Sequence, residues 1–236
     1  TPDGFNINEE CGSTKPEKAQ KAVLENCADI GICLDGDADR VLFIDEQGKL
    51  ANGDQVIGLL ARAWMEKNLL NKSTVVATVM SNLALEQYLE KIGVSLIRTQ
   101  VGDKNVSKCM NREGLNLGGE QSGHLILSDY SDAGDGLITS LQVLSVLVES
   151  KKKASKIFDL FNPFPQSLIN IDADQCNDFQ KNEHIKNRLE ELQSSLRGEG
   201  RILIRRSGTE NVIRVMVEHK EENKLKETVD TCVSIL

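Results

Sequence analysis

The sequence predicts an α/β protein with mixed sheets, followed by a small α+β domain at its C-terminal end. Stretches with helical periodicity alternate with short apolar runs through the middle of the chain, and this alternation is typical of an α/β layer with a mostly parallel sheet. The segment Asn162-Pro163-Phe164-Pro165 interrupts the pattern and has the composition of a linker. We therefore expect three parts, namely residues 1–51, 52–160 and 161–236.

The first part is predicted to hold one short helix at residues 17–27 and two strands at 30–34 and 41–45. These elements are too few to form a domain with its own core, so we expect them to complete a sheet that begins upstream. The chain also starts at Thr1 without an initiator Met, within a stretch typical of a loop interior. A fragment of a longer protein is therefore expected.

The middle part is predicted to begin with a helix that has Asp54 as its N-cap. The apolar face of this helix carries Val56, Ile57, Leu60 and Trp64. The elements predicted after it are strands at residues 74–79, 95–98 and 125–127 and helices at 82–92, 104–111 and 135–150. In the last part, strands at 167–171, 201–205 and 212–218, a helix at 182–196 and a closing helix indicate an α+β domain.

Composition excludes several classes of partner. The formal net charge of −8 disfavours non-specific binding to nucleic acid, and no stretch approaches the ~20 apolar residues of a membrane span. The six cysteines are scattered, without a C-x-x-C pair or the dense framework of secreted domains. We therefore expect free thiols, a cytoplasmic location, and neither a nucleic-acid nor a membrane partner.

The most informative stretch is the acidic loop C-L-D-G-D-A-D-R, which lies between two apolar runs. Its aspartates, Asp35, Asp37 and Asp39, alternate along the chain, and three ionised carboxylates this close repel one another unless a cation or hydrogen-bond donors separate them. Magnesium prefers oxygen ligands in octahedral geometry and usually takes part of its shell from a phosphate. The loop therefore indicates a magnesium site.

Two other interpretations of the acidic loop remain open on the sequence. One is a solvated acidic turn that joins two strands. The other is a calcium loop, because Asp35, Asp37, Asp39 and Glu46 fall at positions 1, 3, 5 and 12 of the EF-hand spacing. The calcium interpretation is disfavoured because Arg40 stands at position 6, where that loop requires a glycine.

Two further loops combine glycines with polar side chains. The loop L-G-G-E-Q-S-G-H offers a carboxylate, an amide, a hydroxyl and an imidazole from Glu120, Gln121, Ser122 and His124, a set suited to a polyhydroxylated sugar. The loop R-R-S-G-T-E-N at residues 205–211 offers an arginine fork, two hydroxyls and backbone amides, which suit a phosphate. A hydrophilic hairpin loop and a basic turn are the respective alternatives. The second loop lacks the G-x-x-x-x-G-K spacing of a nucleotide P-loop.

Taken in this order, the three loops resemble those of the α-D-phosphohexomutases. Within this family the sequence most resembles the bacterial phosphoglucosamine mutases, because of the motif G-E-Q-S-G-H and the stretches at residues 8–14 and 213–218. The resemblance extends through nearly the whole chain. In that family four domains surround one cleft, and a serine of the first domain is phosphorylated; no motif of that kind occurs in these residues. The resemblance thus implies the end of domain 2, all of domain 3, and domain 4.

The resemblance also implies a role for individual residues. Asp35, Asp37 and Asp39 would hold one magnesium ion together with the phosphoserine. Arg40 would lie beside the transferring phosphoryl group, and Asp103 and Lys104 would face the cleft. The residues implied to be catalytic are Arg40, Lys104 and His124. Those implied to bind substrate are Glu120, Ser122, His124, Arg205, Ser207, Gly208 and Thr209.

The implied reaction interconverts glucosamine 6-phosphate and glucosamine 1-phosphate through the 1,6-bisphosphate. Its implied partners are a hexosamine phosphate and the N-terminal domains of the same protein, without which the fragment would be inactive; a homodimer is an assembly that the resemblance allows. Arg206 and Asn211 stand where related sequences often have proline, which predicts a more flexible loop. Three alternatives remain: a phosphomannomutase or phosphoglucomutase, a non-catalytic sugar-phosphate binding module, and a glycosyltransferase with an Asp-x-Asp loop.

Overall fold

The computed structural model describes residues 3–173, 182–207 and 210–236, and it confirms the α/β class. The chain divides into two compact units, Thr1–Asn162 and Pro163–Leu236. The division lies within the predicted linker, whereas the boundary predicted between residues 51 and 52 stays a prediction. The predicted helices and strands are present, and their ends differ from the prediction by one or two residues where they differ.

An antiparallel sheet carries the acidic loop. Strand β1 (Ile30–Leu34) pairs with β2 (Val41–Asp45), and β2 pairs with the short β3 (Leu50–Ala51), which the sequence analysis missed. Helix α1 (Glu17–Glu25) packs on this sheet through Val23. The acidic loop is therefore the turn of the β1–β2 hairpin.

Helix α2 (Gly53–Glu66) begins at a different N-cap from the one predicted. The side chain of Asn52 accepts hydrogen bonds from the backbone N–H groups of Asp54 and Gln55, and the Gln55 side chain returns a bond to the Asn52 N–H. The prediction of Asp54 as the N-cap is wrong because Asn52 has the extended backbone that capping needs. Asp54 lies inside the first turn and is 1% exposed.

The central sheet of the first unit has the strand order β5-β4-β6-β7. Strand β4 pairs in parallel with both of its neighbours, and β6 and β7 form an antiparallel pair. The strands are β4 (Thr74–Thr78), β5 (Ser95–Thr99), β6 (Leu117–Gly119) and β7 (Leu125–Leu127); the other helices are α3 (Leu83–Lys91), α4 (Asp103–Glu113), α5 (Gly136–Ser150) and α6 (Ala154–Ile157).

Strand β6 was not predicted because two of its residues are glycines and offer no side-chain pattern. The close packing of α4 explains one of them, since a Cβ atom at Gly118 would lie 2.6 Å from the sulfur of Met110.

A single core joins β2 to the middle part of the chain, because Val41 and Phe43 pack in the same cluster as α2 and β4. The acidic loop is thus anchored to the larger α/β layer.

The second unit is an antiparallel sheet with the strand order β8-β10-β9 and two helices, as predicted. Its elements are β8 (Gln166–Asp172), α7 (Glu183–Ser195), β9 (Gly200–Arg206), β10 (Val212–His219) and α8 (Glu222–Ile235). Alternate residues of β10, namely Ile213, Val215 and Val217, form its core. The predicted phosphate loop begins with the last two residues of β9, Arg205 and Arg206, and continues toward β10.

In the described part of the chain, Cys11, Cys27, Cys33, Cys109 and Cys232 are free thiols. Across the same residues, the structure has no helix with the length and apolar character needed to cross a membrane.

The start of α2 packs tightly on the turn that joins β6 to β7. The backbone N–H of Gly53 donates to the carbonyl oxygen of Gln121 at 3.1 Å. A Cβ atom at Gly53 would lie 2.0 Å from the carbonyl oxygen of Glu120, well inside van der Waals contact. Only glycine therefore lets α2 approach this turn so closely.

We expect Gly53→Ala to lower the free energy of unfolding by about 1–3 kcal/mol, because the added methyl group must displace backbone atoms. Gly58→Ala in the same helix is the matched control. Its Cβ would lie 3.3 Å from side-chain atoms of Leu160 and Phe161, which can shift, while alanine gains about 1 kcal/mol of helix propensity. Urea unfolding followed by the fluorescence of Trp64, the only tryptophan, measures both. Equal stabilities would contradict the proposed clash.

Candidate functional site

The acidic loop has a compact backbone structure. The Arg40 N–H donates to the carboxylate of Asp35 at 3.1 Å, and the Ala38 N–H donates to the Asp35 carbonyl at 3.2 Å. Ala38 adopts the left-handed conformation, with φ of 59°. These contacts turn the chain so that Asp35, Asp37 and Asp39 each place one carboxylate oxygen within 4.8 Å of the others.

This carboxylate cluster suits a hard divalent cation. Magnesium binds oxygen at 2.0–2.1 Å in octahedral geometry, so its ligand oxygens lie roughly 3–4 Å apart, a spacing that small side-chain movements would give. Burial raises the pKa of the Asp39 carboxyl; the neighbouring His124 opposes this shift and the charges of Asp35 and Asp37 add to it. A bound cation would relieve the repulsion among the three groups.

The calcium-loop alternative is inconsistent with the structure. The loop joins two strands of a hairpin, whereas an EF-hand loop joins two helices. The carboxylate of Glu46, which would be the twelfth-position ligand, instead accepts hydrogen bonds from the backbone N–H and the hydroxyl of Ser155, at 2.9 and 2.5 Å. The acidic cluster therefore consists of the three aspartates alone among the described residues.

The acidic loop is joined directly to the predicted sugar loop. Arg40 and His124 form an antiparallel backbone bridge, and the Val41 N–H donates to the Gly123 carbonyl at 3.0 Å. The imidazole Nδ1 of His124 lies 3.0 Å from a carboxylate oxygen of Asp39. Two loops that are 85 residues apart in the chain thus form one site.

The guanidinium of Arg40 lies beside the carboxylates without forming a close ion pair. Its Nε is 4.0 Å from Asp35 and 3.9 Å from Asp39, and the side chain is 45% exposed. At this exposure the group can still turn toward a ligand. Arg40 therefore offers a positive charge at the edge of the cluster.

A cavity of about 680 Å³ adjoins the two loops, within the size range of small-molecule sites. Of the predicted site residues, it contains Arg40, Glu120 and Ser122. Its walls also include Gln121, the amide of the predicted sugar-binding loop, and residues that were assigned no role from the sequence: Ser13, Thr14, Leu42, Asn52, Thr78, Met80 and Val101. We call this cavity the cleft.

The sugar loop is held in a defined conformation. One carboxylate oxygen of Glu120 accepts a hydrogen bond from the Gly102 N–H at 3.0 Å, and the other accepts one from the Ser122 hydroxyl at 3.3 Å. A Cβ atom at Gly123, where φ is +96°, would lie 2.3 Å from the Val41 carbonyl oxygen. The carboxylate and hydroxyl are thus preset at the wall of the cleft.

Lys104 and His124 lie in a second cavity of about 410 Å³, together with Asp39 and Asp103. His124 is 7% exposed, and its ring faces the acidic loop rather than the cleft that contains Glu120 and Ser122. The predicted catalytic residues are therefore divided, with Arg40 at the cleft and Lys104 beside His124 in the second cavity.

The predicted phosphate loop lies in the second unit, with Arg205 and Arg206 at the end of β9 and Ser207 directly after that strand. Arg205 is half-buried, and Arg206 is exposed. The Ser207 N–H donates to the Val212 carbonyl at 2.9 Å, and the Ser207 hydroxyl accepts from the Glu210 N–H at 3.3 Å. Gly208 and Thr209 lie outside the described residues.

Among the cleft residues that the sequence analysis missed, Ser13 and Thr14 carried a usable signal. They belong to the stretch at residues 8–14 that supports the family resemblance, but a hydroxyl pair alone indicates no particular chemistry. Asn52 and Thr78 carried no such signal, because they reach the cleft only through the packing of α2 and β4.

Two family models match this chain. Phosphoglucomutase/phosphomannomutase alpha/beta/alpha domain III matches residues 52–164, and the phosphoglucomutase/phosphomannomutase C-terminal domain matches residues 168–234. The phosphoglucosamine mutase of Zymomonas mobilis is 51% identical over 97% of this chain and 51% of its own length. That of Parvibaculum lavamentivorans is 51% identical over 100% of this chain and 52% of its own length. The chain thus spans about half the length of these relatives.

Solved structures show the same fold at lower sequence identity. A phosphoglucomutase/phosphomannomutase family protein from Burkholderia thailandensis matches with a TM-score of 0.76 and 19% identity, over 95% of this chain and 50% of that one. The Aspergillus fumigatus N-acetylphosphoglucosamine mutase, in complex with GlcNAc-6P and magnesium, matches with a TM-score of 0.74 and 20% identity, over 97% of this chain and 53% of that one. Because the two domain models together match most of its length, this chain belongs to the phosphoglucomutase/phosphomannomutase family.

Proposed function

We propose that this chain is the second half of a phosphoglucosamine mutase, which interconverts glucosamine 6-phosphate and glucosamine 1-phosphate through the 1,6-bisphosphate. The observation that carries the proposal is the backbone bridge between Arg40 and His124. It brings a cluster of three carboxylates, suited to a metal ion, beside a cleft with the carboxylate and hydroxyl of Glu120 and Ser122. Identity of about half with bacterial phosphoglucosamine mutases along the whole chain supports this choice of sugar.

Asp35, Asp37 and Asp39 would hold one magnesium ion, because ionised carboxylates supply only acceptor oxygens and magnesium prefers oxygen ligands. When bound, the ion neutralises negative charge on phosphoryl oxygens. Arg40 would add a positive charge at the edge of the same cluster and orient the phosphoryl group. Magnesium in the Aspergillus complex is consistent with this assignment.

The sugar would lie in the cleft, where Glu120 accepts hydrogen bonds from its hydroxyl or amino groups and Ser122 can donate or accept. Lys104 and His124 would handle the proton of the reacting hydroxyl from the second cavity, whose walls they share with Asp39. His124 can pass a proton at its ring nitrogens, and its contact with Asp39 orients the ring.

In the proposed reaction a phosphorylated serine of the first half transfers its phosphoryl group to a sugar hydroxyl. The P–O bond to the serine oxygen breaks, a P–O bond to the sugar oxygen forms, and the proton of the sugar hydroxyl is taken up by the released serine oxygen. The bisphosphate then returns its other phosphoryl group to the serine. Because either phosphate must be held while the other reacts, the loop of Arg205 and Ser207 would bind both ends of the sugar equally. The first half of the protein is thus a required partner.

The full-length protein that contains this chain tests the proposed function. Turnover of glucosamine 6-phosphate, glucose 6-phosphate and mannose 6-phosphate is followed by ³¹P NMR, which separates the 1- and 6-phosphates. We expect kcat/KM to be highest for the glucosamine substrate, by at least about tenfold, equivalent to about 1.4 kcal/mol. A higher value for mannose or glucose would favour the related mutases, and binding without turnover would favour a binding module.

For the metal site, we expect Asp39→Asn to weaken magnesium binding by the full-length protein at least about tenfold, because one charged ligand of three is lost. Asp29→Asn removes the same charge from an exposed position outside the cluster and is the control. Isothermal titration with MgCl₂ measures both affinities. A similar loss in the two variants would show that only net charge matters.

For the phosphate loop, we expect Arg205→Ala to raise KM for both sugar phosphates by similar factors, roughly 10- to 100-fold. A charge-assisted hydrogen bond contributes about 1.5–3 kcal/mol. Arg206→Ala is the control, because an exposed charge contributes little under screening. An effect on one phosphate isomer alone would contradict binding of both phosphates by the same loop. A larger effect of Arg206→Ala would show that Arg206, and not Arg205, binds the phosphate.

A further inference from the structure

Asp54 is a buried acidic residue that the proposed reaction does not use. Its side chain lies in the first turn of α2, and the residue is 1% exposed. A buried carboxylate is retained at a cost in solvation, so its partners indicate what it does. In Asp54 these partners come from two other segments of the first unit.

The Asp54 carboxylate joins three segments around the cleft. One of its oxygens accepts hydrogen bonds from the Asn82 N–H at 2.9 Å and from the side-chain amide of Gln121 at 3.1 Å. Asn82 is the N-cap of α3 and accepts from the Ala84 N–H at 3.0 Å. The carboxylate thus connects the start of α2, the start of α3 and the sugar loop.

Gln121, which contacts Asp54, lies between two other residues of the cleft wall. Gln121 stands between Glu120 and Ser122, and all three line the cleft. The Gln121 carbonyl is held by the Gly53 N–H at 3.1 Å, so α2 grips both the backbone and the side chain of this residue. A change in the Gln121 side-chain bond would therefore be transmitted to the carboxylate and hydroxyl next to it.

We propose that Asp54 is a positioning residue for substrate, which holds Gln121 and thereby fixes Glu120 and Ser122 at the wall of the cleft. The inference deepens the proposed function and rests on it in assigning this loop to the sugar. Asp54 lies behind the cleft wall and touches no reacting atom in this proposal. Its effect is expected in substrate binding rather than in the chemical step.

The charged groups around Asp54 determine when its grip would weaken. The guanidinium of Arg98, on β5, donates to the carbonyl of Ser81 at 2.7 Å and to the carboxylate of Glu86 on α3 at 2.9 Å, which offsets part of its charge. Glu120 is the other acidic group of the sugar loop. Burial raises the pKa of Asp54 to about 6, against the hydrogen bonds of Asn82, Ser81 and Gln121 and the charge of Arg98.

A neutral carboxyl is a weaker acceptor than a carboxylate, so protonation would loosen Gln121. Asp54 would therefore hold Gln121 above about pH 6, and this contact would be lost as the pH falls through that value. The contribution of Asp54 to the free energy of unfolding changes with pH in the opposite direction. A folded pKa above the ordinary value of 3.8 means that stability from the protonated group is lost as the pH rises from about 4 to about 6.

The test measures kcat and KM of the full-length enzyme for glucosamine 6-phosphate between pH 5 and 8. We expect the KM of the wild type to rise several-fold below about pH 6, with a smaller change in kcat. Asp54→Asn keeps the shape of the side chain and should show a raised KM at pH 7.5. Below about pH 6 its KM should rise less than that of the wild type, because only the ionisation of the substrate phosphate, near pH 6, then remains. An Asp54→Asn profile parallel to that of the wild type would overturn the proposal.

Asp45→Asn is the matched control. Asp45 is also buried, at 3% exposure, and accepts two backbone hydrogen bonds, from the N–H groups of Gln47 and Lys49, both at 2.9 Å. It lies at the opposite end of β2 from Arg40 and Val41. We expect its KM profile to follow the wild type. If both variants lose the pH dependence, a general loss of stability explains it and the proposal falls.

A second measurement needs neither a variant nor activity. The side-chain NH₂ of Gln121 in the wild-type full-length protein is followed by ¹H–¹⁵N NMR against pH, and we expect its shift to titrate with a midpoint near that of Asp54, about 6. No titration at Gln121 would overturn the link to Asp54. A titration together with an absence of mutase turnover would instead remove the proposed function and leave the structural link in place.

Discussion

The site depends on one short piece of backbone pairing, between Arg40-Val41 at the end of the acidic loop and Gly123-His124 at the end of the sugar loop. It leaves no room for a side chain at Gly123, where a Cβ atom would lie 2.3 Å from the Val41 carbonyl oxygen. The pairing gives two chemically different loops one fixed relation. The carboxylate cluster and the cleft wall with Glu120 and Ser122 are thereby held next to each other, and the proposed function rests on this arrangement.

The acidic loop is electrostatically unfavourable and is stabilised by its surroundings. Its carbonyl at Ala38 accepts a hydrogen bond from the Gly136 N–H at the start of α5, at 2.8 Å. His124 and Arg40 bring positive or polarisable groups to the carboxylates, at separations of 3.0–4.0 Å. Because β2 is buried along its length, the loop is attached to a rigid base, and the residual repulsion remains available for a cation to relieve.

Helix α2 supports the opposite side of the cleft by a different means. Its first turn replaces side-chain volume with close backbone contact at Gly53 and then buries a carboxylate at Asp54. Both features cost stability, since glycine has low helix propensity and the carboxylate of Asp54 loses solvation when the fold buries it. Their common effect is to hold the sugar loop closely, so local stability is exchanged here for a defined position of Glu120 and Ser122.

The sequence by itself determined the α/β class, most helices and strands, and the three loops, because hydrophobic periodicity and the chemistry of clustered carboxylates are local properties. It did not reveal β6, because Gly118 and Gly119 have no side-chain pattern. It also did not show that Asp54 is buried, since Asn52, two residues earlier, competes with it as the N-cap. Only the tertiary structure decided that Asp39 meets His124, 85 residues further along the chain. Such a contact depends on how β2, α2 and the central sheet pack together, and packing is a property of the whole core rather than of any one segment.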